Sequence, residues 1–165
     1  WRWYAEQLGA GPGTGVGQFY AYDPSLETKA PSDIPQARCF PGIGEVAMHS
    51  DLSQPAEDVY LLMRSSPYGS YSHSHASQNA ITIGSLPRAL AISSGYYQRY
   101  GSPHHAGWTW ETRPHNSILV DGEGQVKRSL ASRGTIAAFD DADDCCYAVG
   151  DATEAYGGRL NKFLL

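Results

Sequence analysis

What the chain lacks narrows its function. No apolar run approaches the ~20 residues of a membrane span, so no membrane partner is expected. Cysteine is scarce and awkwardly placed. Cys39, Cys145 and Cys146 make an odd number with two adjacent, which argues against a disulfide framework and for reduced thiols. No CxxC pair exists to build a thiolate zinc site. The Gly-rich stretch from Gly9 to Gly17 has neither a Gly-Lys-Ser/Thr ending nor GxGxxG spacing, so it reads as a connector rather than a phosphate cradle. No GxSxG string supports a serine hydrolase. Asp140-Asp141-Ala142-Asp143-Asp144 lacks the spacing and the closing Glu of an EF-hand and reads as a solvated turn. There is no Lys/Arg stripe or basic tail, so nucleic acid is not an expected partner.

What is present is concentrated. The 165 residues carry 12 Lys+Arg against 17 Asp+Glu. Between Arg64 and His115 that balance reverses. Arg64, Arg88, Arg99 and Arg113 face one acid, Glu111, and five of the six histidines and five of the eleven tyrosines fall there. A basic, Tyr/His-rich field on an acidic chain suits a carboxylated small molecule or an acidic sugar polymer. Its centre is His73-Ser74-His75, with His115-Asn116 forty residues on. Histidines at i and i+2 of an extended segment project to one side, and a third imidazole can join from a later strand. Such a cluster can hold a metal or move protons near neutral pH. His104-His105 lies in a loop, where at most one of the two is expected to face the cluster. Tyr96, Tyr97 and Tyr100 can serve as proton carriers or as packing and sugar-stacking rings.

The length allows one domain with a sizeable core. Residues 1–8 read as the last turns of a helix and 23–42 as an irregular loop. Strands are expected over Val59–Arg64, Asn79–Ile83, Ala89–Ser93, Ser117–Val120, Thr135–Phe139 and Cys145–Val149, with an acidic loop at 140–144 and a hairpin turn at Asp121-Gly122. Several short strands at this spacing predict a mainly β fold, an antiparallel β-sandwich with a short N-terminal helical tail. The chain starts without Met and ends on Phe163-Leu164-Leu165, which reads as an interrupted apolar strand, so a piece of a longer protein is expected.

Three strings, SSPYGSYSHSHASQNAITI, LAISSGYYQRYGSPHH and TRPHNSILVDGEGQ, make residues Ser65 to Gln125 resemble the heparinase II/III-like polysaccharide lyases. FPGIGEVAMHSDL upstream and YAVGDATEAYGG downstream match more loosely. The resemblance implies a larger α-toroid plus β-sandwich lyase, with residues 1–22 as the end of the toroid and its connector and 23–165 as the sandwich. It implies β-elimination on uronate-containing acidic glycans of glycosaminoglycan or alginate type, in the periplasm or outside the cell. The alternative is a non-catalytic sandwich module that binds acidic glycans. Carried over by position, His73 matches the cleft histidine and Tyr100, or else Tyr97, the tyrosine of proton transfer. Arg64, Arg99, Arg113, Asn116 and His105 are the expected substrate contacts. His75 and His115 match two ligands of a structural zinc site, and Ser93 stands where many members carry the third ligand, an Asp. Ser77 likewise stands where relatives often have Asp. Either His104 or His105 completes the zinc site, or hydrogen bonds alone hold the cluster.

Overall fold

The computed structural model describes residues 2–9, 23, 25–85, 88–142, 145–161 and 165. Most of the expected Gly-rich connector, with the boundary at residue 22, lies outside them. The N-terminal tail is a short helix, α1 (Arg2–Gln7), braced by an Arg2–Glu6 pair one turn apart. Tyr4 ties it to the rest by donating its hydroxyl to the Leu52 carbonyl at 3.0 Å.

Five antiparallel strands follow in sequence order: β1 (Ala37–Phe40), β2 (Glu45–His49), β3 (Val59–Arg64), β4 (Ala80–Ser85) and β5 (Arg88–Ala91). A second antiparallel pair is formed by β6 (Thr135–Ala142) and β7 (Cys145–Asp151). The fold is mainly β, as the strand spacing indicates. Register explains the division of faces. Cys39, Val46, Met63 and Ile81 are paired across the sheet, as are Phe40, Glu45, Arg64 and Ala80. Alternation puts these rows on opposite faces. The first row is the inner one, and Val46 and Met63 are buried there. Gly150 of β7 approaches so closely that a Cβ would run into the Met63 methyl and the Asn79 amide. The second row forms an outer face, where Phe40 and Leu62 stay exposed.

The β1–β2 turn depends on Gly44, which has φ +70° and lies against the Ser65 carbonyl, where a side chain would collide. Glycine there lets the turn press against the strand end that leads to the histidines. At the far end of β2, Asp58 is buried and accepts from Ser50 Oγ, the Asp51 N–H and His49 Nδ1, the last at 2.6 Å. His49 therefore belongs to a structural brace, away from the other five histidines.

Three expectations need correction. The segment 23–42 is not wholly irregular, because β1 occupies its end; four residues with one apolar-aromatic pair carry too little pattern to be read alone. Ser117–Val120 is no strand. It makes only an isolated bridge, Val120 with Glu123, around Asp121 (φ +53°) and Gly122 (φ +78°). The hairpin turn is present without the hairpin: Ser117 Oγ is drawn to the Gln78 carbonyl and Asn116 Nδ2 to the Ile81 carbonyl. Finally, β6 runs through Asp140 and Asp141 to Ala142, so the expected acidic loop begins inside a strand; Asp143 and Asp144 lie outside the described residues. β5 ends at Ala91, leaving Ile92 and Ser93 free to turn toward the histidines. The three cysteines are all free thiols.

Candidate functional site

The chain from β3 to β4 carries both histidines of the HxH motif, and buried amides hold it in place. Gln78 accepts the Ser66 N–H on Oε1 at 2.6 Å and donates Nε2 to the Ser132 carbonyl at 3.0 Å. Its backbone exchanges bonds with the Gln125 side chain, N–H to Oε1 and Nε2–H to carbonyl, both 2.7 Å. Thr112 Oγ1 in turn accepts the Gln125 N–H at 2.8 Å, and Ala76 N–H donates to the Trp110 carbonyl at 3.0 Å. Three separated stretches are thereby locked together. Gln78 and Gln125 occurred in the motif strings, but nothing in the sequence marked their side chains as the fastening.

The HxH segment is a turn rather than a strand, with Ser72 at φ +59° just before it. Consequently its two histidines have different surroundings. His75 is half-buried and stacks on His115, ring centres 5.2 Å apart. The two line an open cavity of about 320 Å³ on the outer sheet face, with Arg64, Ser77 and Ser93. His115 Nε2 lies 3.0 Å from the Thr109 carbonyl, which can only accept, so Nε2 carries the proton. Nδ1 is then bare and accepts the Ser93 hydroxyl at 2.8 Å. This arrangement requires a neutral ring. Burial depresses the His115 pKa, with Arg64 adding to the effect, while the bond to Thr109 opposes it. His75 is pushed down to about 4, first by burial, then by His115, His105, Arg64 and His73. Both imidazoles are neutral at pH 7.

His73 is exposed and rests against Tyr100, ring centres 4.6 Å apart. Tyr100 donates its hydroxyl to the Ser72 carbonyl at 3.3 Å and meets Trp110 edge-on at 5.5 Å. The stretch from Gly95 to Trp110, which holds Tyr96, Tyr97, Tyr100 and the His104-His105 pair, closes with a π-helical turn over His105–Thr109. His105 is wholly buried in it, stacked on Tyr97 at 3.7 Å, and its Nδ1 accepts the Gly101 N–H at 2.9 Å. Burial and the neighbouring His73 lower its pKa. The expected substrate contact at His105 is therefore corrected: a ring with no exposed surface cannot touch a polymer. It is the floor under Tyr97 and Tyr100. Of the two tyrosines, Tyr100 is the more open and the one beside His73.

The expected anion contacts are distributed unevenly. Arg64 reaches the cavity and Ser74 Oγ. Arg99 is exposed. Arg113 is ion-paired with Glu111, which Lys127 also holds at 2.8 Å, and its guanidinium sits 5.4 Å from the Trp108 ring centre. Asn116 is occupied by its bond to the Ile81 carbonyl.

The zinc expectation can be tested on the donors. Structural zinc takes four ligands from thiolate, imidazole and carboxylate. Here two imidazoles meet a neutral hydroxyl, and the one bare His115 nitrogen already accepts that hydroxyl. His75 Nε2 and His105 Nε2 are both buried without a partner, but His105 Nδ1 accepts the Gly101 N–H, so its Nε2 carries the proton and is no ligand. His105 is committed to Gly101 and Tyr97, and His104 is exposed in its loop. Among the described residues no three His, Cys, Asp or Glu side chains come together to hold a metal ion. The donor set does not fit zinc.

The antiparallel, mainly β fold thus sets an exposed His73–Tyr100 pair beside the more deeply placed His75, His105 and His115. Residues 35–156 match the family described as "Heparinase II/III-like, C-terminal", and the chain belongs to that family. Solved structures share the fold. "Heparinase III-BT4657 gene product" aligns with TM-score 0.58 at 12% identity over 72% of this chain and 18% of that one. A form of it with methylated lysines gives 0.61 at 13% identity, over 73% and 18%. A heparan sulfate lyase HepC mutant from Pedobacter heparinus gives 0.56 at 14%, over 92% and 22%. The chain thus spans about a fifth of the length of the structures it resembles. No curated protein sequence matches it.

Proposed function

We propose that this domain is part of a polysaccharide lyase that cleaves uronate-containing glycans, of glycosaminoglycan or alginate type, by β-elimination. The observation that supports it best is the contact between exposed His73 and Tyr100, with the other imidazoles kept neutral behind them. In this reading His73 takes the C5 proton of the uronate. The C5–H electron pair forms the C4=C5 double bond, and the C4–O bond breaks toward the glycosidic oxygen. Tyr100 protonates that oxygen, and the imidazolium beside it returns a proton to the phenolate. Charge builds on the uronate carboxylate during proton removal, so nearby cations lower the barrier; Arg99 is exposed for this role and Arg64 is held near the cavity.

The second member of the pair of domains is a helical toroid of the same polypeptide, closing the cleft from the outer sheet face. Its supports are the family membership, the small share of the related structures that this chain spans, and the apolar surface left at Phe40 and Leu62. Polymers of this kind do not cross membranes, which favours action in the periplasm or outside the cell. The test is ultraviolet absorbance from unsaturated uronate when the protein carrying this domain is mixed with a panel of uronate polymers. Retention of polymer on an affinity gel without any such absorbance would replace the lyase reading by a glycan-binding module.

A further inference from the structure

Three arginines near the site, Arg64, Arg99 and Arg128, make no ion pair among the described residues, whereas the cations around Arg128 do. Lys127 and Arg113 are ion-paired to Glu111, Arg133 to Glu154 and Arg159 to Glu123. Arg128 is exposed and has no acidic partner among the described residues. It is nevertheless held in place. Its backbone N–H donates to the Ser70 carbonyl at 3.1 Å, on the loop leading to His73. Its guanidinium lies 4.5 Å from the centre of the Trp110 ring. Its φ of +56° is a costly conformation for an arginine, where glycine or asparagine would sit with less strain.

Two ring contacts separate this guanidinium from the proposed base: Trp110 meets Tyr100, and Tyr100 meets His73. Trp110 is 4% exposed, so its ring is a fixed floor, and the guanidinium lies over it while Arg128 itself stays exposed. A guanidinium fixed in this way, with no acidic partner among the described residues, is a receptor for an anion with two acceptor oxygens.

We infer that Arg128, on the Trp110–Tyr100 wall, forms a subsite for the carboxylate or sulfate of an acidic sugar neighbouring the one that reacts. The inference rests on the proposed glycan substrate but not on turnover. Arg128 sets specificity for charge along the polymer, and it is not a catalytic residue. The planar fork binds such groups by two parallel bonds, which a lysine does not reproduce.

The experiment measures binding of the folded chain to alginate, to heparan sulfate and to neutral glucan by affinity electrophoresis or calorimetry, across a salt series. Arg128→Met keeps an aliphatic cover on Trp110 and removes the charge; Arg128→Lys keeps the charge and removes the fork. Expected is about tenfold weaker binding of the acidic polymer by Arg128→Met, the scale of one charge-assisted contact. A shallower salt dependence accompanies it, Arg128→Lys falls between, and glucan is unbound throughout. Both variants should keep the wild-type Tm. Unchanged acidic-polymer binding in a folded Arg128→Met chain overturns the subsite, as does a wild-type chain that binds no acidic polymer. Equal weakening by both variants with a lowered Tm also overturns it, leaving Arg128 as cover for Trp110. Weakened binding in a protein that never yields unsaturated uronate keeps the subsite and rejects elimination instead.

Discussion

His73 and His75 are two residues apart, yet one is open to solvent and the other is held neutral against His115. Their substitution should separate accordingly. His73→Ala removes the proposed base from an exposed turn, so turnover should be lost while Tm stays at the wild-type value; retained turnover would move the base elsewhere. For His75 the readout is stability against pH. Its folded pKa, about 4, lies below the ordinary 6.5, so the unfolded chain binds more protons between these values. Stability should therefore fall as pH drops from 6.5 toward 4 and level off below. His75→Gln should flatten part of that slope in thermal melts, with His105 and His115 supplying the remainder because they shift the same way. A slope identical in the variant would place the acid sensitivity in other groups. Ser93 offers a third test at this scale. The purified chain should retain no stoichiometric zinc, whereas Ser93→Asp puts a carboxylate beside His115 and should bind it, read by metal analysis and a zinc-dependent rise in Tm. Stoichiometric zinc in the wild type would show that the hydroxyl suffices.

At the level of elements, the loops around the site are held by side chains more than by apolar packing. Replacing Gln78 with Ala orphans the Ser66 N–H and the Ser132 carbonyl, two buried groups. That should cost about 2–4 kcal/mol, measured by urea unfolding, and loosen the His75–His115 stack enough to change their imidazole NMR shifts. A cost within experimental error would mean that water replaces the amide freely. This fastening explains what was legible from sequence. β3, β4, β6 and β7 announced themselves by apolar and β-branched runs, and the HxH, SGYY and HN strings announced the cluster. β1 was too short to show a period. Ser117–Val120 had strand composition, but its backbone enters no ladder: Asn116 and Ser117 reach the Ile81 and Gln78 carbonyls through their side chains instead. His105 looked like any loop histidine, because burial under Tyr97 comes from a π-helical turn that leaves no pattern. Arg128 gave no signal, since a cation–π contact across eighteen positions is invisible in one chain.

Across the whole molecule, the two faces of the five-stranded sheet have different tasks. The inner face packs on β7 through Met63 and Gly150, and the outer face carries the cavity with Phe40 and Leu62 exposed at 44% and 43%. An aliphatic and an aromatic side chain at the edge of the histidine-lined cavity have little to gain from water. If the proposed toroid closes on this face, burying Leu62 supplies part of the docking energy, and an uncompensated charge there opposes it. Leu62→Asp should leave the Tm of the chain alone unchanged, because the residue is already exposed. In the protein with its helical domain the same change should lower turnover and open the interdomain boundary to limited proteolysis. Leu90→Asp, exposed on edge strand β5, is the control for charge alone and should do neither. Normal turnover and an intact boundary in Leu62→Asp would mean that the toroid meets the sandwich elsewhere, and that the outer cavity is roofed by substrate rather than by protein.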